Sequence, residues 1–96
     1  MMNYSKLEVF NIIKNILKIQ FPDEKITKTT NLKKELKADG LDLIEILMEI
    51  EDEFELNIPD KKADKWETVE NILTYLCKEL NIIEPIKSRF DILDIR

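Results

Sequence analysis

The sequence predicts an all-α fold, a bundle of three main helices and one short one with a long first loop and a C-terminal extension. Three observations carry this. Apolar residues recur at helical spacing in three separate segments. One glycine and three prolines in 96 residues supply few of the turn residues that β-rich folds need. A composition of 44% hydrophobic and 36% charged residues suits one globular domain with a single small core.

The first helix is expected from Tyr4 to Ile19. Leu7, Phe10, Ile13 and Leu17 fall at helical spacing, with Val9, Ile12 and Ile16 beside them, and Ser5 or Asn3 caps the start. Pro22 ends it, because proline disfavours helix in the residue before it. From Asp23 to Asp39 the pattern is irregular. Thr29, Thr30 and Asn31 read as turns, while Ile26, Leu32 and Leu36 are spaced to pin a long loop to the core.

The second helix is expected from Asp39-Gly40 to about Glu55. Asp39 suits the N-cap, and Asp42 lies near the positive end of the helix dipole. Asn57-Ile58-Pro59-Asp60 breaks the pattern, and Asp60 is expected to cap a short turn through Ala63 to Trp66. A last helix follows from Glu67 or Thr68, with Val69, Ile72, Leu73, Leu76 and Leu80 inward and Asn81 as C-cap. Residues 1–81 form the domain. Residues 82–96 form a tail in which Ile86, Phe90 and Leu93, spaced i, i+4, i+7 after Pro85, suggest a short amphipathic helix.

Composition also excludes. With no histidine and one cysteine, disulfide frameworks, Cys/His zinc sites and histidine-based triads are absent. Cys77 is expected at the core edge. No apolar run approaches the roughly 20 residues of a membrane span, and the start carries no signal-peptide pattern, so a cytoplasmic setting is expected. The net charge of −5 argues against nucleic-acid binding.

That charge is unevenly placed. Nine acids and no base lie between Ala38 and Asp60, leaving the remainder with an excess of bases. Calcium-loop spacing is missing, because Gly40 precedes the acids and their spacing is helical. No nucleophile or histidine accompanies the carboxylates, so neither a metal site nor enzyme activity is expected.

The second helix carries two apolar stripes. Leu43, Ile46, Leu47, Ile50 and Phe54 form an inward face. Leu41, Ile44 and Met48 fall on another side, among Asp42, Glu45, Glu49 and Asp52. An exposed apolar stripe ringed by one sign of charge is a docking pattern for basic partners.

The stretch ELKADGLDLIEILMEIEDEFELNIPDKKADKWETVENILTYL resembles the acyl carrier proteins of fatty acid and related synthesis. The resemblance runs from about Ile26 to Leu80 and is looser in the first helix. It implies a four-helix bundle with helices one, two and four long and helix three short. In that family a transferase attaches 4′-phosphopantetheine from coenzyme A to the serine of an Asp-Ser-Leu motif, and the terminal thiol carries acyl chains as thioesters. This sequence reads Asp39-Gly40-Leu41. The cofactor position is Gly40, which has no hydroxyl. Ser5 and Ser88 lie far from the motif, and no threonine lies in helix two.

The rest of the family's surface is retained by resemblance. Asp39, Leu41, Asp42, Ile44, Glu45, Met48, Glu51, Asp52, Ile58, Asp60 and Ala63 match or adjoin positions that meet basic-patch partners: synthases, acyltransferases or a phosphopantetheinyl transferase. Ile46, Leu47, Ile50, Phe54, Ile58, Val69, Ile72 and Leu76 match the interior that shelters an acyl chain. Lys61 and Lys62 depart from a site that is often acidic, and Leu43 and Trp66 are bulky enough to narrow the interior. The expectation is a monomeric, partner-binding relative that carries no cofactor. The alternative is a genuine carrier presented as a serine-to-glycine variant.

Overall fold

The computed structural model describes residues 4–82, which form four helices: α1 (Lys6–Gln20), α2 (Gly40–Phe54), α3 (Asp60–Ala63) and α4 (Val69–Glu79). Among the described residues there is no strand, only an isolated antiparallel bridge between Asn31 and Thr68. The tail pattern of Ile86, Phe90 and Leu93, the alternative cap Asn3, and Ser88 lie outside the described residues.

The three long helices start in the same way. In each, a polar N-cap side chain accepts from the backbone three residues on, and the residue there reaches back. Ser5 Oγ accepts from the Glu8 N–H at 3.1 Å while Glu8 accepts from the Ser5 N–H at 2.8 Å. Asp39 and Asp42 form the same pair for α2, at 2.9 and 3.2 Å. Thr68 and Asn71 do so for α4, at 3.3 and 2.9 Å.

The short helix differs from expectation at its start. Pro59 is the N-cap and makes no side-chain cap, and Asp60 is the first helical residue. Proline's fixed φ, here −61°, sets the entry without a side-chain acceptor. At the end of α4, Leu80 is the C-cap and Asn81 follows in the left-handed region at φ 60°. The Asn81 N–H donates to the Lys78 carbonyl and the Ile82 N–H to that of Cys77, the paired bonds of a Schellman ending. At the end of α2, Glu55 takes the left-handed position usually given to glycine, at φ 54°.

One core joins these elements. Val9, Ile13, Ile16 and Leu17 of α1 meet Ile46, Ile50 and Phe54 of α2 and Val69, Ile72, Leu73 and Leu76 of α4. Tyr4 adds an edge-on contact to the Phe54 ring, with centroids 5.1 Å apart. Leu7, expected among the apolar positions of α1, is 68% exposed. It lies two residues before Val9, about 200° around the helix at roughly 100° per residue, so the buried seam leaves it outside.

The long loop is tied down by the anchors the spacing predicted: Ile26, Leu32 and Leu36 are buried. Its carbonyls also serve α4. The N–H of Val69 donates to Thr30 at 3.0 Å and that of Glu70 to Lys28 at 2.8 Å, so the first-turn donors of α4 find acceptors in the loop. The Leu32 N–H returns a bond to Glu67 at 2.8 Å. Asn31 Oδ1 accepts from the Lys33 and Lys34 N–H groups, forming the turn before the chain enters α2.

Candidate functional site

The site is built around the start of α2. Asp39 caps the helix, and Gly40 is its first residue, exposed at the surface. Its backbone is not in the left-handed region, and a Cβ placed on it meets none of the described neighbours within 4 Å. Glycine is therefore not required there by the backbone or by crowding.

Beside Gly40 opens a cleft of about 380 Å³ between α2, α3 and the loop. Leu43, Ile44 and Leu47 line one side, Ala63 and Trp66 another, and Asp60 and Lys33 also reach it. Trp66 is held edge-on against Tyr75, with centroids 5.6 Å apart. Burial raises the Tyr75 phenol above its ordinary pKa, and the nearby Glu79 carboxylate adds to the effect, so Tyr75 is neutral at physiological pH.

The residues assigned to the interior divide in two. Ile46 and Leu47 line the cleft. Ile50, Phe54, Val69, Ile72 and Leu76 are buried in the core and do not line it. Leu43 and Trp66, expected to narrow the interior, both form walls of the cleft.

The second apolar stripe of α2 faces solvent. Leu41 is 65% exposed, Ile44 54% and Met48 61%. Around them Glu45, Glu49 and Asp52 are exposed and Asp42 is partly so. A further surface depression holds Met48 with Glu49, Glu51, Asp52 and Glu55, and among the described residues no base lines it.

Some of the carboxylates also have structural work. Asp39 and Asp42 hold each other's backbone N–H groups at the cap. Glu51 turns back to accept from the Ile58 N–H at 2.9 Å, bracing the link from α2 to α3. Ile58, assigned by resemblance to both the docking set and the interior, is buried in the core and does not line the cleft. Asp60 and Ala63 face the cleft, while Lys61 and Lys62 are exposed on α3. Cys77 is half-buried at the core edge, as its spacing indicated.

Among the described residues no group of three or more His, Cys, Asp or Glu side chains is arranged to hold a metal ion. No helix among them is long and apolar enough to cross a membrane. The site is a surface ridge beside a lined cleft, which can bind and shelter.

Comparison with known proteins agrees with this arrangement. Residues 8–76 match the phosphopantetheine attachment site family. The chain is 40% identical over 74 residues to the acyl carrier protein of Lactobacillus acidophilus, an overlap covering 75% of this chain and 92% of that one. It is 37% identical over 76 residues to the acyl carrier protein of Lactobacillus johnsonii, covering 77% and 95%. With four helices in this order and the family match spanning all of α2, α3 and the cleft, the chain belongs to the phosphopantetheine-binding family of acyl carrier proteins.

Proposed function

We propose that this chain is a carrier-family protein that docks basic partners through α2 without bearing a phosphopantetheine arm. The observation that carries the reading is Gly40. It stands at the first position of α2, beside the cleft, where resemblance puts the acceptor serine, and it offers no hydroxyl to accept a phosphopantetheinyl group. The partner surface next to it keeps its ridge of Leu41, Ile44 and Met48 and the surrounding carboxylates. Such a chain binds and positions but does not catalyse. Its partners are basic-patch enzymes of acyl metabolism in the cytoplasm, and it acts there as a regulator, structural subunit or competitor of a modified carrier.

The open space at position 40 favours a second reading, a carrier whose serine has been exchanged for glycine. A Cβ at position 40, the first atom of a serine side chain, meets none of the described neighbours within 4 Å. The codon at position 40 of the source gene separates the two readings.

The test of the modification claim is direct. The chain is incubated with coenzyme A and a promiscuous phosphopantetheinyl transferase, and the intact protein is weighed. The expected result is no mass gain for the chain and a gain of one phosphopantetheine for Gly40→Ser. A gain on the unsubstituted chain overturns the loss of the attachment site. No gain on Gly40→Ser overturns the claim that the docking surface is intact.

A further inference from the structure

The lysines that offset the acidic segment are gathered. Residues 1–37 hold eight lysines against four acids. Four of these, Lys14, Lys18, Lys25 and Lys28, line one groove of about 460 Å³ together with Phe10 and Ile26. Lys14 and Lys18 come from α1, and Lys25 and Lys28 from the loop after Pro22. Among the described residues, no acid lines the groove.

Its construction is apolar below and cationic at the rim. Ile26 is buried and Phe10 half-buried. Lysine stems pack along apolar surface while their ammonium groups stay in water. Lys18 is the most fixed, since its Nζ donates to the carbonyls of Glu24 at 2.6 Å and Pro22 at 3.4 Å. Leu7 lies three residues before Phe10 and seven before Lys14, on the same flank of α1, and it is exposed. It extends the apolar strip.

The same molecule carries the complement. On α2, Leu41, Ile44 and Met48 form an exposed ridge at i, i+3 and i+7, flanked by Asp42, Glu45, Glu49 and Asp52. An apolar ridge with an acidic border matches an apolar groove with a basic border in both charge and polarity. We propose that the Phe10–Ile26 groove receives the α2 ridge of a second copy of the chain. Ridge and groove share no residue, so the contact is heterologous: each copy presents its ridge to one neighbour and its groove to another. Three apolar side chains bury less than a standard interface, so the association is weak and depends on charge. This inference rests on the two faces and is independent of whether position 40 is modified.

The test uses the whole chain in analytical ultracentrifugation. At low salt the average mass is expected to rise with concentration toward about 1 mM, the range of weak complexes. It returns to one copy in about 0.5 M salt, where charges are screened within a few ångströms. Two double variants divide the contact: Lys14→Glu with Lys28→Glu in the groove, and Glu45→Lys with Glu49→Lys on the ridge. Each is expected to stay a single copy alone, with helical content unchanged by circular dichroism. Mixed in equal amounts they regain association, because the ridge variant keeps an intact groove and the groove variant an intact ridge. A chain that remains a single copy at the highest concentration overturns the proposal. So does association that survives high salt or either reversal, and so does a mixture that fails to recover.

Discussion

Glycine is among the poorest residues for a helix, yet Gly40 occupies the first turn of α2. Among the described residues nothing needs it there, since an added Cβ meets no neighbour within 4 Å. Gly40→Ala is therefore expected to stabilise the fold by about 0.4–1 kcal/mol, chiefly by restricting the unfolded chain. For a domain of this size that raises Tm by roughly 2–8 °C, readable by circular dichroism melts. A lower Tm would mean that position 40 is held by contacts the fold does not show. Glu55 is the opposite case, a residue with a side chain where glycine is usual. At φ 54° it bears left-handed strain, and its carboxylate sits at the negative end of α2. Glu55→Gly is expected to gain about 1 kcal/mol, measured by chemical denaturation with an unchanged m-value. The glycine at position 40 was legible in the sequence, because a local motif frames it. The strained Glu55 was not, because nothing in a Glu-Leu-Asn run announces a left-handed residue.

At the scale of elements, caps carry the information. Thr68 Oγ1 accepts from Asn71 N–H, and Asn71 Oδ1 accepts from the N–H groups of both Glu67 and Thr68. Removing the hydroxyl leaves the loop's backbone bonds to Val69 and Glu70 in place. Thr68→Ala is thus expected to cost about 1 kcal/mol, the ordinary value of one cap, while Thr68→Ser keeps most of it. Urea denaturation of the two variants checks this, and equal losses in both would assign the effect to packing of the methyl group. The helices and two of their starts were legible because their signals are local: Ser5, Asp39 and the apolar periods following them. The end of α4 was legible to within a residue, since Asn81 takes the left-handed position just after the cap. The bridge from Asn31 to Thr68 was not, because a long-range backbone pairing leaves no period in sequence. The start of α3 was misplaced by one residue because a proline can set a helix entry without a side-chain acceptor.

Across the whole molecule, charge is the feature that local packing leaves unsettled. The carboxylates of residues 38–60 are concentrated on and around α2, whose last turn holds no base. The repulsion among them and the unmatched negative helix end both oppose folding, and both are screened by salt. The sequence located this segment and its exposed ridge, but not the lysine groove, whose members come from two segments that only the fold brings together. A single substitution tests the account away from ridge and groove. Glu53 is exposed and lies one turn after Glu49, so Glu53→Lys places a cation four residues after an acid and near the helix end. It also reduces the segment's net negative charge by two units. The expected gain is about 0.5–1 kcal/mol at low ionic strength, the range of a helix-end charge with one favourable pair. At micromolar concentration, melting should rise for the unsubstituted chain between about 10 mM and 200 mM salt, as the screening length shrinks from roughly 30 Å to below 10 Å. The advantage of Glu53→Lys should shrink over the same range. An advantage independent of salt would point instead to helix propensity or packing at position 53, and a chain whose Tm falls with salt would show that attraction between lysines and acids outweighs repulsion along α2.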